Sequence, residues 1–163
     1  MTIVDAVRPA ATRVLTENPA ERYEEYRERY GWTLTGTPSA GATALVLGRT
    51  VDAVVMTEEL GRAVKFFLSI RMLGGPIIAY PGCPERWAFL TQPATRTTDR
   101  ALDDLSRLDV ALPRKGALLL LPPSNTPFGE AEWVTEPMSD SPLAPWQAVV
   151  AAVRSMFSEH PPW

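Results

Sequence analysis

A chain of 163 residues with 45% apolar side chains can enclose one hydrophobic core, because a domain of this size hides roughly 70% of the surface its extended chain would expose. Sixteen Lys and Arg against nineteen Asp and Glu give a formal charge of −3, so the whole molecule repels a phosphate backbone unless its cations gather on one face. The single cysteine, Cys83, excludes an internal disulfide; with neither a charged-then-apolar leader nor a run of about 18 apolar residues, the chain is expected to be cytoplasmic, with no membrane partner.

Sixteen prolines and ten glycines divide the chain into short elements. The expectation is one domain over 1–163, with 1–17 and 158–163 as its less defined terminal segments. Ile3 to Leu15 reads as a helix interrupted by Pro9. Asn18-Pro19 followed by Glu21 reads as a helix start: a polar cap, proline at the first helical position, and negative charge at the positive end of the dipole. Tyr23, Tyr26 and Tyr30 then recur at helical spacing, and Gly31 supplies the stop.

Ala44 to Leu47 and Val51 to Met56 are short Val- and Leu-rich runs around Gly48-Arg49-Thr50, which predicts a hairpin or two adjacent strands. Thr57 caps a helix with an inward stripe of Leu60, Ala63, Val64, Phe67 and Ile70, ending at Gly74-Gly75. Pro76 to Tyr80 and Trp87 to Thr91 predict strands joined by the turn Pro81-Gly82-Cys83-Pro84. Leu102, Leu105 and Leu108 predict an amphipathic helix from Thr98 to about Leu108; strands follow at Ala117 to Leu121 and Glu132 to Thr135. A last helix, starting at Pro142 or Pro145, buries Trp146, Val149, Val150, Val153 and Phe157. The fold class is therefore α+β, an α/β sandwich with helices packed on a mixed or mostly antiparallel sheet.

The segment from Leu108 to Val134 carries a likeness. Asp109 and Gly116 precede the strand Ala117-Leu118-Leu119-Leu120-Leu121, which stops at Pro122-Pro123-Ser124 and is followed by Trp133. That order resembles the third motif of the bifunctional primase/polymerase (prim-pol) domain, with about two extra residues between acid and strand. Arg29-Tyr30-Gly31-Trp32 is similar to the family's opening helix and turn, and Trp87-Ala88-Phe89-Leu90-Thr91-Gln92-Pro93 to its second motif. The likeness covers most of the chain, is closest to short stand-alone actinomycete members, and implies an archaeo-eukaryotic-primase-like fold.

The same resemblance implies metal-dependent nucleotidyl transfer in the family, a chemistry that holds two divalent cations about 3.5–4 Å apart with clustered carboxylates. In this chain the family's first acidic pair falls on Val51-Asp52-Ala53-Val54-Val55-Met56, where only Asp52 is acidic, and the second-motif histidine corresponds to Trp87, whose indole cannot carry positive charge. Asp52 and Asp109 remain the candidate catalytic and metal-binding residues, for Mg²⁺ or Mn²⁺ only if the site is active; otherwise no cofactor is expected. Candidate contacts to nucleic acid or nucleotide are Trp87 as a stacking ring with Arg96, Arg100, Arg114 and Lys115 as a basic groove. Against this stands a solvated helix face on which Asp99, Asp103, Asp104 and Asp109 neutralise those cations at helical spacing.

Other motifs read more simply. Cys83 is a turn residue with no base beside it, one Cys and one His cannot close a zinc site, and Pro122-Pro123 end strand pairing. Thr57-Glu58-Glu59 is a helix cap and not a phosphate cradle. The tail Glu159-His160-Pro161-Pro162-Trp163 is a loose end whose tryptophan could anchor a partner. The functional expectation is a degenerate primase/polymerase-like domain, a non-catalytic binding or regulatory module that contacts a protein partner, nucleic acid or nucleotide. The alternatives are an active nucleotidyltransferase in which Glu58 or Glu59 supplies a missing ligand, and a homodimer that acts by protein interaction alone.

Overall fold

The structure, a computed structural model, describes residues 18–138 and 143–159, with side chains described as far as Met156. The helix expected at Ile3 to Leu15, the burial of Phe157 and the His160 to Trp163 tail lie outside the described residues.

The fold is α+β, and every pairing between its strands is antiparallel. Helix α1 (Pro19–Tyr30) starts where the sequence demands it: Asn18 accepts from the Ala20 N–H, Pro19 needs no donor, and Gly31 closes the helix at φ 66°. Strands β1 (Leu34–Thr37) and β2 (Ala42–Val46) form a three-stranded sheet with β6 (Leu118–Leu120), in the order β1-β2-β6. Strands β3 (Asp52–Thr57), β4 (Ile77–Tyr80), β5 (Arg86–Thr91) and β9 (Glu132–Thr135) form the larger sheet, in the order β3-β5-β4-β9. A two-stranded ribbon, β7 (Asn125–Thr126) with β8 (Gly129–Glu130), joins β6 to β9.

The expected pairing of the two runs around Gly48 does not occur. Strand β2 enters the smaller sheet and β3 the larger one, because β2 finds its second neighbour in β6, where Leu45 faces Leu119. Residues 47–51 form the corner, closed by the Gly48 N–H donating to the Val51 carbonyl.

Alternation along β3 then divides the interior into two layers. Val54 and Met56 face Val64 and Leu68 of α2 (Glu58–Ile70), with Val149 and Val153 of α4 (Trp146–Glu159). Val51 and Ala53 face the smaller sheet and α1, where Leu45, Leu121, Tyr26 and Trp32 are buried. Helix α3 (Asp99–Arg107), capped by Thr98 as expected, packs on the far side of α4 from α2.

The stripe on α2 is rotated from the expected one. Gly61, Val64 and Leu68 point inward, and at 100° per residue Ile70 lies about 150° from their mean direction, which leaves it 62% exposed. The helix ends before Gly74-Gly75, in a turn where Met72 adopts φ 55°. Gly61 is required for another reason: a Cβ there would lie 2.8 Å from Trp87 Cε3, so only glycine lets α2 lie this close to β5.

Candidate functional site

The two candidate carboxylates are not neighbours. Asp52 starts β3 opposite Thr91, on the helix-facing side of the sheet. It is buried, and its Oδ2 accepts from the Ala94 N–H at 2.6 Å, which fastens the segment after β5 to the sheet end. Asp109 follows α3 with φ 56° and is exposed; its Oδ2 accepts from Arg86 Nη1 at 2.7 Å. Arg86 pairs with Thr57, so Asp109 sits at the other end of β3, five residue steps or about 17 Å of strand from Asp52. Arg86 also starts on the opposite face of the sheet. Two acids so placed cannot share one cation, whose carboxylate oxygens must lie within about 2.0–2.6 Å of it. Among the described residues no three His, Cys, Asp or Glu side chains converge as a metal site.

Trp87 is not a stacking platform. It is 5% exposed beneath Gly61, and its ring is covered by the Arg62 guanidinium, 5.4 Å from the centroid. Its indole N–H is buried with no hydrogen-bond partner of ordinary geometry, yet it lies near enough to the Glu85 carboxyl to favour that group's charged form. Around it the structure assembles acids that the sequence reading did not connect. The Glu58 N–H donates to the Glu85 carbonyl at 3.0 Å, and the two side chains share a hydrogen bond that raises Glu85; burial and the Glu58 charge add to the rise. Glu58 is lowered, first by its bond to Arg62 and then by Glu85. Thr57 facing Arg86 across β3 and β5 is what brings them together, a register invisible in the separate motifs.

The residues on either side of Pro122 and the aromatic side chains near them are committed to structure. Pro122, Trp32 and Trp133 meet around Tyr26, which is wholly buried. Tyr26 Oη donates to the Pro122 carbonyl at 2.8 Å and accepts from Trp133 Nε1 at 3.0 Å, and its ring stacks on Trp32 with centroids 5.5 Å apart. Ser124 Oγ accepts from the Thr43 N–H and donates to the Thr43 carbonyl, both at 2.9 Å, so it extends the smaller sheet in place of backbone. Pro122 therefore does more than end a strand: its carbonyl anchors α1.

The basic candidates surround the Asp52 end of the larger sheet. Arg96 follows the Ala94 contact to Asp52, and Arg100 lies in the first turn of α3. Arg114 and Lys115 lie against the corner that feeds β3: the Gly116 N–H donates to the Leu47 carbonyl, and a Cβ on Gly48 would fall 2.4 Å from Lys115 Cγ. Arg49, read in the sequence only as part of a turn, belongs to that corner. All five are exposed and have no carboxylate within 4 Å among the described residues. Of the four acids expected to neutralise this segment, Asp104 pairs with Arg154 at 3.1 Å and Asp109 with Arg86, while Asp99 and Asp103 are exposed and lie beyond 4 Å of these cations. Comparison with protein-family models, with curated proteins and with solved structures finds no match.

Proposed function

We propose that the chain is a primase/polymerase-like module that no longer joins nucleotides and instead binds a polyanion, of which single-stranded nucleic acid is the best fit, through its basic end. The observation that carries this reading is the group formed by Arg49, Arg96, Arg100, Arg114 and Lys115. These five exposed cations of a net acidic chain come from three separate segments and surround one end of a sheet, with no carboxylate partner among the described residues. Their local field attracts phosphate although the distant charge repels it. With Trp87 buried, contact is electrostatic and not through a stacked base, so little sequence preference is expected.

The loss of transfer chemistry is supported by the separation of Asp52 from Asp109 and by the commitment of each to a structural partner. The test is fluorescence anisotropy of a labelled 20-nucleotide single strand across a salt series. Binding that weakens steeply with salt, and a logarithmic slope that falls by about 0.7 for each contacting cation removed among Arg96→Ala, Arg114→Ala and Lys115→Ala, is the expected result. A salt-independent response, or variants that bind as the parent does, refutes the basic end. Primer extension with Mn²⁺ that is abolished by Asp52→Asn would refute the loss of activity.

A further inference from the structure

The outer face of α2 and the turn after it carry three of the large apolar side chains that the described fold leaves exposed. Phe66 and Ile70, one helical turn apart, are 69% and 62% exposed, and Met72 just beyond is 91% exposed. Together they make an apolar ridge that the described residues leave uncovered. Lys65 stands beside the ridge, and Arg71 lies past it with its guanidinium 3.6 Å from the Phe67 ring centroid; neither has a carboxylate within 4 Å among the described residues.

Below the ridge a groove of about 160 Å³ opens between Leu68 and Ser69 of α2 and the ends of β4, β5 and β9, floored by Ile77 and Phe89. Substrate and cofactor pockets occupy roughly 300–1,000 Å³, so this groove is too small for such a molecule and suits one apolar side chain. Lys65 forms part of its rim, and Glu136 stands on the opposite wall. An apolar anchor pocket beside an apolar ridge, bordered by available cations, is the arrangement that recognises an amphipathic segment.

We infer that α2 and this groove form a docking site for a partner protein's acidic amphipathic helix, one apolar residue entering the groove, others lying along Phe66 and Ile70, and carboxylates meeting Lys65 and Arg71. Charge decides the class of partner: a basic segment would meet Lys65 and Arg71 with like charge, and an uncharged one would leave them without counter-ions. The surface is on the β4–β9 side of the helix layer, separate from the basic end at β3, and the inference does not depend on polyanion binding there.

The probe is a labelled 14-residue helical peptide with Leu at positions i, i+3, i+4 and i+7 and Glu between them, compared with the same peptide carrying Lys for Glu. The acidic peptide is expected to bind the full chain, to weaken with salt, and to lose at least about tenfold in affinity with Phe66→Ser or Lys65→Glu. Lys65→Glu should in turn improve binding of the Lys peptide. Both positions are exposed, and an unchanged thermal transition shows that the variants fold. Equal binding of both peptides, or retention of affinity in both variants, overturns the inference. So does self-association that Phe66→Ser abolishes, which would assign the face to a second copy, or binding of the unmodified chain to anionic vesicles through the same residues.

Discussion

The Tyr26 cluster and the Asp52 end differ in how completely their polar groups are used. Around Tyr26 the hydroxyl, the Trp133 indole and the Pro122 carbonyl satisfy one another within an aromatic cluster, and Ser124, close to Pro122 in the chain, satisfies the Thr43 backbone. Around Asp52 one carboxylate is buried and tied, while the neighbouring cations stand in solvent with no acidic partner among the described residues. The aromatic residues therefore hold the layers together, and the groups free to meet a ligand are ones whose individual identities look ordinary.

The largest test of that contrast is in the aromatic cluster. Tyr26→Ala should cost about 3–5 kcal/mol in urea unfolding, by removing a fully buried ring and leaving its partners unpaired. Tyr26→Phe keeps the ring and should cost about 1–2 kcal/mol, for the lost hydroxyl bonds alone. A loss below about 1 kcal/mol for the alanine variant would mean the cluster does not secure the layers.

Gly61→Ala should cost about 1–3 kcal/mol, because the added methyl meets the Trp87 ring and α2 must move away from β5. The change should also alter the emission of the buried tryptophan. Asp52→Asn comes next, at about 1–2 kcal/mol, by weakening a charge-assisted bond to the Ala94 N–H, whereas Asp109→Asn should cost under about 1 kcal/mol because its ion pair is exposed. Equal effects of the two, or a metal-dependent stability that both remove, would restore them as a functional pair.

The smallest effect concerns Glu58 and Glu85. Glu85 is raised in the folded state, so its contribution is complete below its ordinary value of 4.5 and is lost as pH rises through the raised value. Glu58 is lowered, so its contribution is present above 4.5 and is lost as pH falls through its depressed value. Glu85→Gln, which keeps a donor for Glu58 and removes the like charge, should therefore stabilise the protein near neutral pH and lose that advantage below pH 4.5. Thermal melts from pH 3.5 to 7 read this directly; an advantage that grows toward acid would exclude proton sharing.

Local chemistry was legible in the sequence and distant pairing was not. The caps at Asn18 and Thr98 and the strands on either side of Pro81-Gly82-Cys83-Pro84 follow from a few adjacent residues. The separation of β2 from β3 depends on β6, which lies more than sixty residues further along and competes successfully for β2. In the expected stripe on α2, Val64 is buried and Leu60 and Phe67 pack against the core, but Ile70, as apolar as the core, turns outward; only the approach to Trp87 shows that the small residue Gly61 marks the buried side. Glu85 and Arg49 are silent in the sequence because each acquires significance only from a distant segment, Glu85 from Glu58 at the start of α2 and Arg49 from the turn at Lys115 that packs on its corner.

The contact between Tyr26 and Pro122 spans 96 residues, and it has a consequence for the ribosome. While the nascent chain is shorter than about 120 residues, β2 lacks one of its two neighbours, and Leu45 and Trp32 have no Leu119 or Leu121 to cover them. The first third of the polypeptide therefore emerges with an open, sticky strand edge that only late translation can seal, so premature termination anywhere before β6 should yield fragments that aggregate or engage chaperones, not partly folded domains.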